Sequence, residues 1–267
     1  MTRLDLDGHD AVGIRANNPG PFTHSGTNSW VLGREPAFLI DPGPALPDHL
    51  DAMSDELDER GGLGAILLTH DHPDHAEAVP EMLLRFSPSP LAAARVARAE
   101  LTDVLADGDR YGPFEVLALP GHAPDHLVFL WEGVAFTGDA VLGSGSVFVT
   151  PYPGALRAYL AGLERLRGRA PAVLAPGHGP VVHDADAKLA EYIAHRLDRE
   201  AALVLALGDG LRTIDELVGR VWSDAPAELR PAVELTLAAH LDKLQEEGRL
   251  PVGVQRPEWP VAWLPQV

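Results

Sequence analysis

No cysteine occurs among the 267 residues. That absence excludes disulfides, zinc–thiolate sites and a cysteine nucleophile. Cations are scarce as well: 21 Lys and Arg stand against 39 Asp and Glu, a formal net charge of −18. A broad phosphate-tracking surface needs clustered Lys and Arg. Nucleic acid could therefore be held only where another positive charge is supplied, such as a bound metal ion. Long apolar runs are missing too, so no stretch is built to span a bilayer. The start, MTRLDLDGHDAVG, carries three Asp and lacks the basic and apolar regions of a signal peptide. A cytoplasmic protein without a membrane partner is expected. Otherwise the composition is that of a globular protein, with 46% hydrophobic and 22% charged residues. The length suits one large domain, or one large and one small.

Short apolar runs bounded by turn residues dominate the first two-thirds. Trp30 to Gly33, Ala37 to Ile40, Gly64 to Leu68, Phe114 to Leu119, Leu127 to Trp131, Val134 to Thr137 and Ala172 to Leu174 read as strands. Helical spacing occurs at Pro47 to Arg60, Pro80 to Phe86, Ala92 to Ala106 and Gly154 to Leu166. Interleaved strands and helices predict an α/β fold with mixed sheets and helices outside. Past residue 180 the pattern turns helical: Asp184 to Leu207, then Thr213 to Val221, then Ala227 to Glu247, stopped by Gly248. Along the first of these the apolar residues are Leu189, Ile193, Leu197, Val204 and Leu205. Thr213 with Glu216 three residues on forms a capping-box pattern. The tail RLPVGVQRPEWPVAWL reads as a hairpin, and three helices plus a hairpin is a winged-helix pattern. Two domains follow, 1–180 and 181–267.

Polar residues recur where strands end. Asp41 closes AFLID, His70 closes AILLTH, His122 follows VLALPG, Asp139 follows VAFTG, and His178 follows AVLAPG. Loops at one edge of a sheet build sites in this way. Thr69 to His75 is richer still, reading H-x-H-x-D-H. Side chains alternate along an extended segment, so His70 and His72 can grip one ion, whereas Asp71 points away. Asp74 and His75 can face a second ion. His122 would complete the first set and His178 the second, and Asp139 can give one oxygen to each ion. Seven imidazole and carboxylate donors exceed what one tetrahedral ion uses, and they suit a borderline ion such as zinc. Asp41 reads either as the orienter of a ligand histidine or as a turn residue before Pro42-Gly43. His126 and Asp125 lie near the site, with His126 better read as a structural histidine. His9, His24, His49, His183, His195 and His240 have no ligand-like neighbours and default to solvent or packing. Gly143 to Ser146 reads as a flexible loop, bordering a pocket or simply linking.

The order THDHPDH, PGH, TGD and PGHG resembles the motifs of the metallo-beta-lactamase superfamily, over most of residues 25–180. Asp139 without any cysteine is closer to glyoxalase II and the zinc ribonucleases than to antibiotic-degrading enzymes. PGHGPVVHDADAKLAEYIAHRLDRE followed by a winged-helix pattern resembles the beta-lactamase-like protein 2 family, extending the likeness over nearly the whole chain. The resemblance implies an αββα sandwich with a small C-terminal winged-helix domain. It implies two zinc ions, one held by His70, His72 and His122, one by Asp74, His75 and His178, with Asp139 shared. Members of that family include single-strand-specific endoribonucleases, and related fungal proteins are thioesterases on polyketide carriers.

A zinc hydrolase is the expected activity. A bridging hydroxide would attack the carbonyl of an ester, thioester or related acyl bond, with Asp139 and Asp74 as catalytic carboxylates and Asp74 also accepting a proton. The alternative is cleavage of single-stranded RNA at the same site. A mononuclear iron dioxygenase would need only two His and one carboxylate, and a metal-stabilised binding module would not keep an open coordination position. Nine Lys and Arg against fifteen Asp and Glu from residue 181 onward make a DNA-reading winged helix a poor expectation. Walling the cleft, or a homodimer contact, suits that module better.

Overall fold

Side-chain alternation on the central strands divides the apolar residues between two faces, and a four-layer fold follows from it. The computed structural model describes residues 2–87, 89–94 and 101–258. Its first half runs β1 (Thr2–Asp5), β2 (Ala11–Arg15), β3 (Asn28–Leu32), β4 (Ala37–Ile40), α1 (Pro47–Glu59), β5 (Leu63–Leu67), α2 (Pro73–Ala76), α3 (Val79–Arg85), β6 (Leu91–Ala94) and β7 (Asp103–Leu105). The strands form one seven-stranded sheet in sequence order. It is antiparallel from β1 to β4 and parallel from β4 to β7. Next come β8 (Arg110–Tyr111), β9 (Phe114–Ala118), β10 (Leu127–Trp131), β11 (Val134–Gly138), α4 (Ala155–Gly168) and β12 (Val173–Pro176). These strands make a five-stranded sheet in the order β12-β11-β10-β9-β8.

Trp30, Leu32, Ile40 and Leu67 of the first sheet meet Phe114, Val116, Phe129 and Phe136 of the second in one buried cluster. Their neighbours Val31, Leu39 and Ile66 point the other way, onto Leu50, Met53 and Leu57 of α1 and Met82 of α3. Leu117, Val128 and Ala135 on the outer face of the second sheet meet Leu156, Tyr159 and Leu163 of α4. Helix, sheet, sheet, helix is the αββα arrangement expected.

Three helices close the described chain: α5 (Ala185–Gly208), α6 (Ile214–Val221) and, after a short 3-10 turn, α7 (Arg230–Glu246). The capping box forms. Thr213 Oγ1 accepts from the Glu216 amide at 3.3 Å and Glu216 Oε2 accepts from the Thr213 amide at 3.0 Å. Helix α5 joins two bodies. Its Ala185, Leu189 and Tyr192 pack with α4 and the second sheet, while Leu203, Ala206 and Leu207 pack with Leu217, Val221, Leu237 and Leu241 of the C-terminal helices. No helix among the described residues is long and apolar enough to cross a membrane.

Three expectations fail. The helix at 92–106 is instead β6 and β7 at its ends, with 95–100 outside the described residues. Pairing with β5 overrides the helical propensity of an alanine-rich segment. The hairpin at 249–264 forms no strand in its described part, 249–258, where Pro251 and Pro257 remove ladder donors; the remainder lies outside the described residues. Leu197 and Leu205, read as part of the apolar face of α5, are 49% and 68% exposed.

Candidate metal centre

Every strand end singled out above lies on one edge of the sandwich. Asp41 follows β4, His70 follows β5, His122 lies between β9 and β10, Asp139 follows β11 and His178 follows β12. The segment after His70 turns into α2, which carries Asp74 and His75. Glycines make the approach possible. A side chain at Gly177 would put its Cβ 2.6 Å from His75 Cε1 and 2.7 Å from Asp139 Oδ1. Gly138 has φ +45°, and a Cβ there would sit 2.3 Å from Thr69 Oγ1. The T-G-D and second P-G-H motifs are therefore steric requirements of the centre.

All seven expected donors come together, in two sets. In the first, His70 Nε2 and His122 Nε2 each lie 3.0 Å from His72 Nδ1. In the second, His178 Nε2 lies 3.2 Å from Asp74 Oδ2, and His75 Nε2 3.6 Å from the same oxygen. Asp139 stands between the sets. Its Oδ1 is 3.3 Å from both His75 Nε2 and His178 Nε2, and its Oδ2 is 3.6 Å from His122 Nε2.

In four of the five imidazoles the opposite ring nitrogen is occupied by an acceptor. His75 Nδ1 donates to Asp41 Oδ2 at 2.9 Å, His70 Nδ1 to Thr69 Oγ1 at 3.0 Å, His122 Nδ1 to the Phe148 carbonyl at 3.3 Å, and His178 Nδ1 to the Gly26 carbonyl at 3.4 Å. Asp41 is itself held by the Thr69 amide at 2.8 Å and the Thr69 hydroxyl at 2.7 Å. Of the two readings offered for Asp41, the orienting one describes these contacts. Each such bond fixes a tautomer whose Nε2 lone pair faces inward.

These residues fit a pair of divalent ions. A tetrahedron with donors ~2.0–2.1 Å from its centre has edges of ~3.3 Å, close to the separations within each set. A single proton on His72 Nδ1 could serve only one of its two imidazole neighbours at a time, whereas a cation serves all three. Asp139 Oδ1 is in charge contact with His75 Nε2 and with His178 Nε2, and none of these three buried atoms has a hydrogen-bond partner among the described residues. Unpartnered buried polar atoms are costly, and an ion would satisfy all three.

Among the protein groups alone the two sets differ in charge. Burial, reinforced by neighbouring imidazoles, holds His70 well below the ordinary histidine range and takes His122 down to about 3. Burial likewise lowers His72. In the second set burial also disfavours imidazolium, but Asp74, Asp139 and Asp41 outweigh it and hold His75 well above its ordinary range. For His178, burial is overcome by Asp139 and Asp74, which raise it to about 9. Those cations outweigh the burial of their partners, so Asp74 falls to about 2 and Asp139 lies well below the usual carboxylate range.

The remaining candidates take supporting places. His126 is buried, stacks on His70 at 4.9 Å, and its Nε2 accepts the Asp139 amide at 3.1 Å, the structural role expected. Asp125 Oδ2 accepts the Asp71 amide at 3.1 Å. His49 Nε2 bonds Ser29 Oγ at 2.9 Å in the core, and His240 is buried against Trp222. His24 is half-buried, with Cε1 3.5 Å from where a Cβ on Gly145 would stand. Sequence reasoning missed the Phe148 and Gly26 carbonyls, which any residue type could supply. It also missed Asn28, whose Nδ2 donates to the Pro176 and Gly179 carbonyls at 3.0 Å and braces the His178 loop.

Comparison with known proteins agrees with the geometry. Residues 23–114 and 94–178 match the family described as "Metallo-beta-lactamase superfamily", and residues 213–251 match "Beta-lactamase associated winged helix domain". A beta-lactamase-like protein 2 homolog of Drosophila melanogaster is 30% identical, covering 95% of this chain and 92% of its own. An atrochrysone carboxyl ACP thioesterase of Aspergillus chevalieri is 33% identical over 91% of this chain and 83% of its own. A solved metallo-beta-lactamase family protein of Thermus thermophilus superposes with a TM-score of 0.71 at 26% identity, over 90% of this chain and 94% of that one. With that family matched across residues 23–178 and a relative aligned along nearly its whole length, the chain belongs to the metallo-beta-lactamase superfamily of hydrolases.

Proposed function

We propose that the chain is a two-zinc hydrolase of ester, thioester or related acyl bonds. The observation that carries the reading is Asp139, whose two carboxylate oxygens face different donor sets. His70, His72 and His122 would hold one ion, Asp74, His75 and His178 the other, and Asp139 both. Bound divalent ions supply Lewis acidity and bring a water's pKa near 7. Five imidazoles and two carboxylates, with no thiolate, suit a borderline ion such as zinc. A mononuclear iron site needs three of these seven donors and leaves the other four without a purpose. The division at residue 181 belongs to the same proposal: residues 1–180 carry every donor, and 181–267 form the module that walls the cleft.

The chain's own groups have definite tasks in this reading. Asp41, Thr69 and the Phe148 and Gly26 carbonyls hold four imidazoles with their inward nitrogens unprotonated when ions are bound. Asp74 is the most open of the carboxylates, its side chain 30% exposed against 10% for Asp139, so substrate approaches from its side. There Asp74 can accept the proton of the attacking water and return it to the leaving group. Phe148 packs on His122 with ring centres 4.5 Å apart and excludes water from that flank.

An acyl substrate is favoured over RNA by the net charge of −18. The thioesterase named among the relatives points the same way. The test is a panel of acyl thioesters, aryl esters and single-stranded RNA offered to zinc-loaded protein. Thioester or ester turnover abolished by chelation and restored by zinc is expected. RNA cleavage without acyl turnover would replace the acyl reading with the phosphodiester one.

A further inference from the structure

A cavity of about 470 Å³ lies between the 145–148 loop, α5 and the C-terminal helices. Its apolar wall includes Phe148, Tyr192, Trp222, Leu229 and Val233. That volume is in the range of small-molecule sites, and aromatic walls accept flat apolar bodies. Phe148 is common to this cavity and to the metal centre, since its ring packs on His122 and its carbonyl accepts from His122 Nδ1.

One charge on the wall is unexplained by the fold. Glu191 pairs with Lys188 at 3.0 Å, and Asp224 with Arg199 at 2.6 Å. Arg196 is 2% exposed and takes no carboxylate among the described residues. Its Nη2 donates to Ser146 Oγ at 2.9 Å and to the Val147 carbonyl, its guanidinium lies 5.6 Å from the Tyr159 ring centre, and its Nε is buried without a partner among the described residues. Holding a buried guanidinium on neutral acceptors alone is costly. A neutral donor side chain would anchor the loop as well without that cost. An anion in the cavity removes it, and the fork of an Arg matches a carboxylate.

We propose that this cavity binds the acyl part of the substrate, an apolar ring-sized body ending in a carboxylate, with Arg196 as the anion anchor. The proposal rests on the acyl-hydrolase reading for which bond is cleaved, but not for binding. In it the C-terminal module determines specificity: Trp222 and Val233 shape the body's berth, and the 145–148 loop carries the ligand's position to the metal centre through Phe148.

Calorimetry with 2-naphthoate and its neutral counterpart 2-naphthylmethanol tests it, using the full chain with metal content measured for each variant. Wild type should bind the carboxylate at least about tenfold more tightly than the alcohol. Arg196→Met should erase that preference while the metal content stays at the wild-type value, and Arg196→Lys should keep part of it. Ala232→Phe, which fills the cavity from α7 without touching the donors, should weaken both ligands about tenfold or more. Equal binding of the two ligands by wild type, or a preference that survives in Arg196→Met, would overturn the proposal, the latter because the metal centre would then hold the carboxylate. Should Arg196→Met not fold, undiminished binding by Ala232→Phe would overturn it equally. Turnover separates the two readings. Carboxylate-selective binding with no acyl bond hydrolysed sinks the acyl-hydrolase assignment and leaves the cavity, whereas thioester turnover with no carboxylate preference does the reverse.

Discussion

Replacing Asp41 with Asn changes one atom and should cost the second ion most of its affinity. Asp41 Oδ2 accepts from His75 Nδ1 at 2.9 Å and from the Thr69 hydroxyl at 2.7 Å, while Oδ1 accepts from the Thr69 amide at 2.8 Å. An asparagine has one oxygen, and the Thr69 amide can only donate, so that oxygen stays with the amide. Its NH2 group then faces His75 Nδ1, which must become an acceptor. The His75 proton moves to Nε2, the nitrogen that points at Asp74 and Asp139. Loss of such an orienting carboxylate weakens metal binding ~10–100-fold, or ~1.4–2.7 kcal/mol. Competition with a chromophoric chelator resolves the two binding steps. Weakening should be largest for the step assigned to Asp74, His75 and His178. Asp41→Asn protein binding both ions as wild type does would refute the claim that Asp41 sets the His75 tautomer.

Further outcomes follow from the same geometry. Asp139→Ala removes an oxygen from each donor set, so acyl turnover should fall more than about a thousandfold, ~4 kcal/mol of barrier, and by more than in His178→Ala; a milder effect would remove Asp139 from the shared position. Loading the second ion must displace protons from His75 and His178, so zinc titration at pH 7.5 should release about two protons, read from calorimetry in buffers of different ionisation enthalpy, and fewer above pH 9. For metal-depleted protein the raised His178 contributes stability that is complete below pH 6.5 and lost as pH rises through about 9, so its melting temperature should fall across that window while the zinc form's does not. Single-stranded RNA should bind metal-depleted protein weakly, with a log–log salt slope smaller than about 2, because few cations are available to displace counterions; a steep slope would promote RNA from alternative to leading substrate.

The cluster of imidazoles and carboxylates was legible because metal chemistry allows few residue types and sheet topology delivers them at strand ends, where T-H-x-H, G-D and G-H stand out. The αββα layering was legible from the same alternation that puts Trp30 between the sheets and Val31 beneath α1. What escaped depends on partners distant in sequence. The orienters of His122 and His178 are backbone carbonyls, which no residue type announces. β1, with TRLD, is mostly exposed and carries no apolar pattern, and the alanine-rich β6 is a strand only because β5 lies beside it. Leu197 fits the helical apolar spacing, yet α5 is covered on one side by α4 and on another by the C-terminal helices, and neither covers that position. The place of Arg196 on a cavity wall was equally invisible, since an arginine in an amphipathic helix reads as solvated.

Metal content is the most direct test of the central claim. Protein purified without chelator and analysed by mass spectrometry of the elements should contain two zinc ions per chain, and Asp139→Ala should lose both toward zero while His178→Ala retains about one. A single ion per chain in wild type, iron in place of zinc, or two full ions retained by Asp139→Ala would contradict a two-zinc centre bridged by that carboxylate.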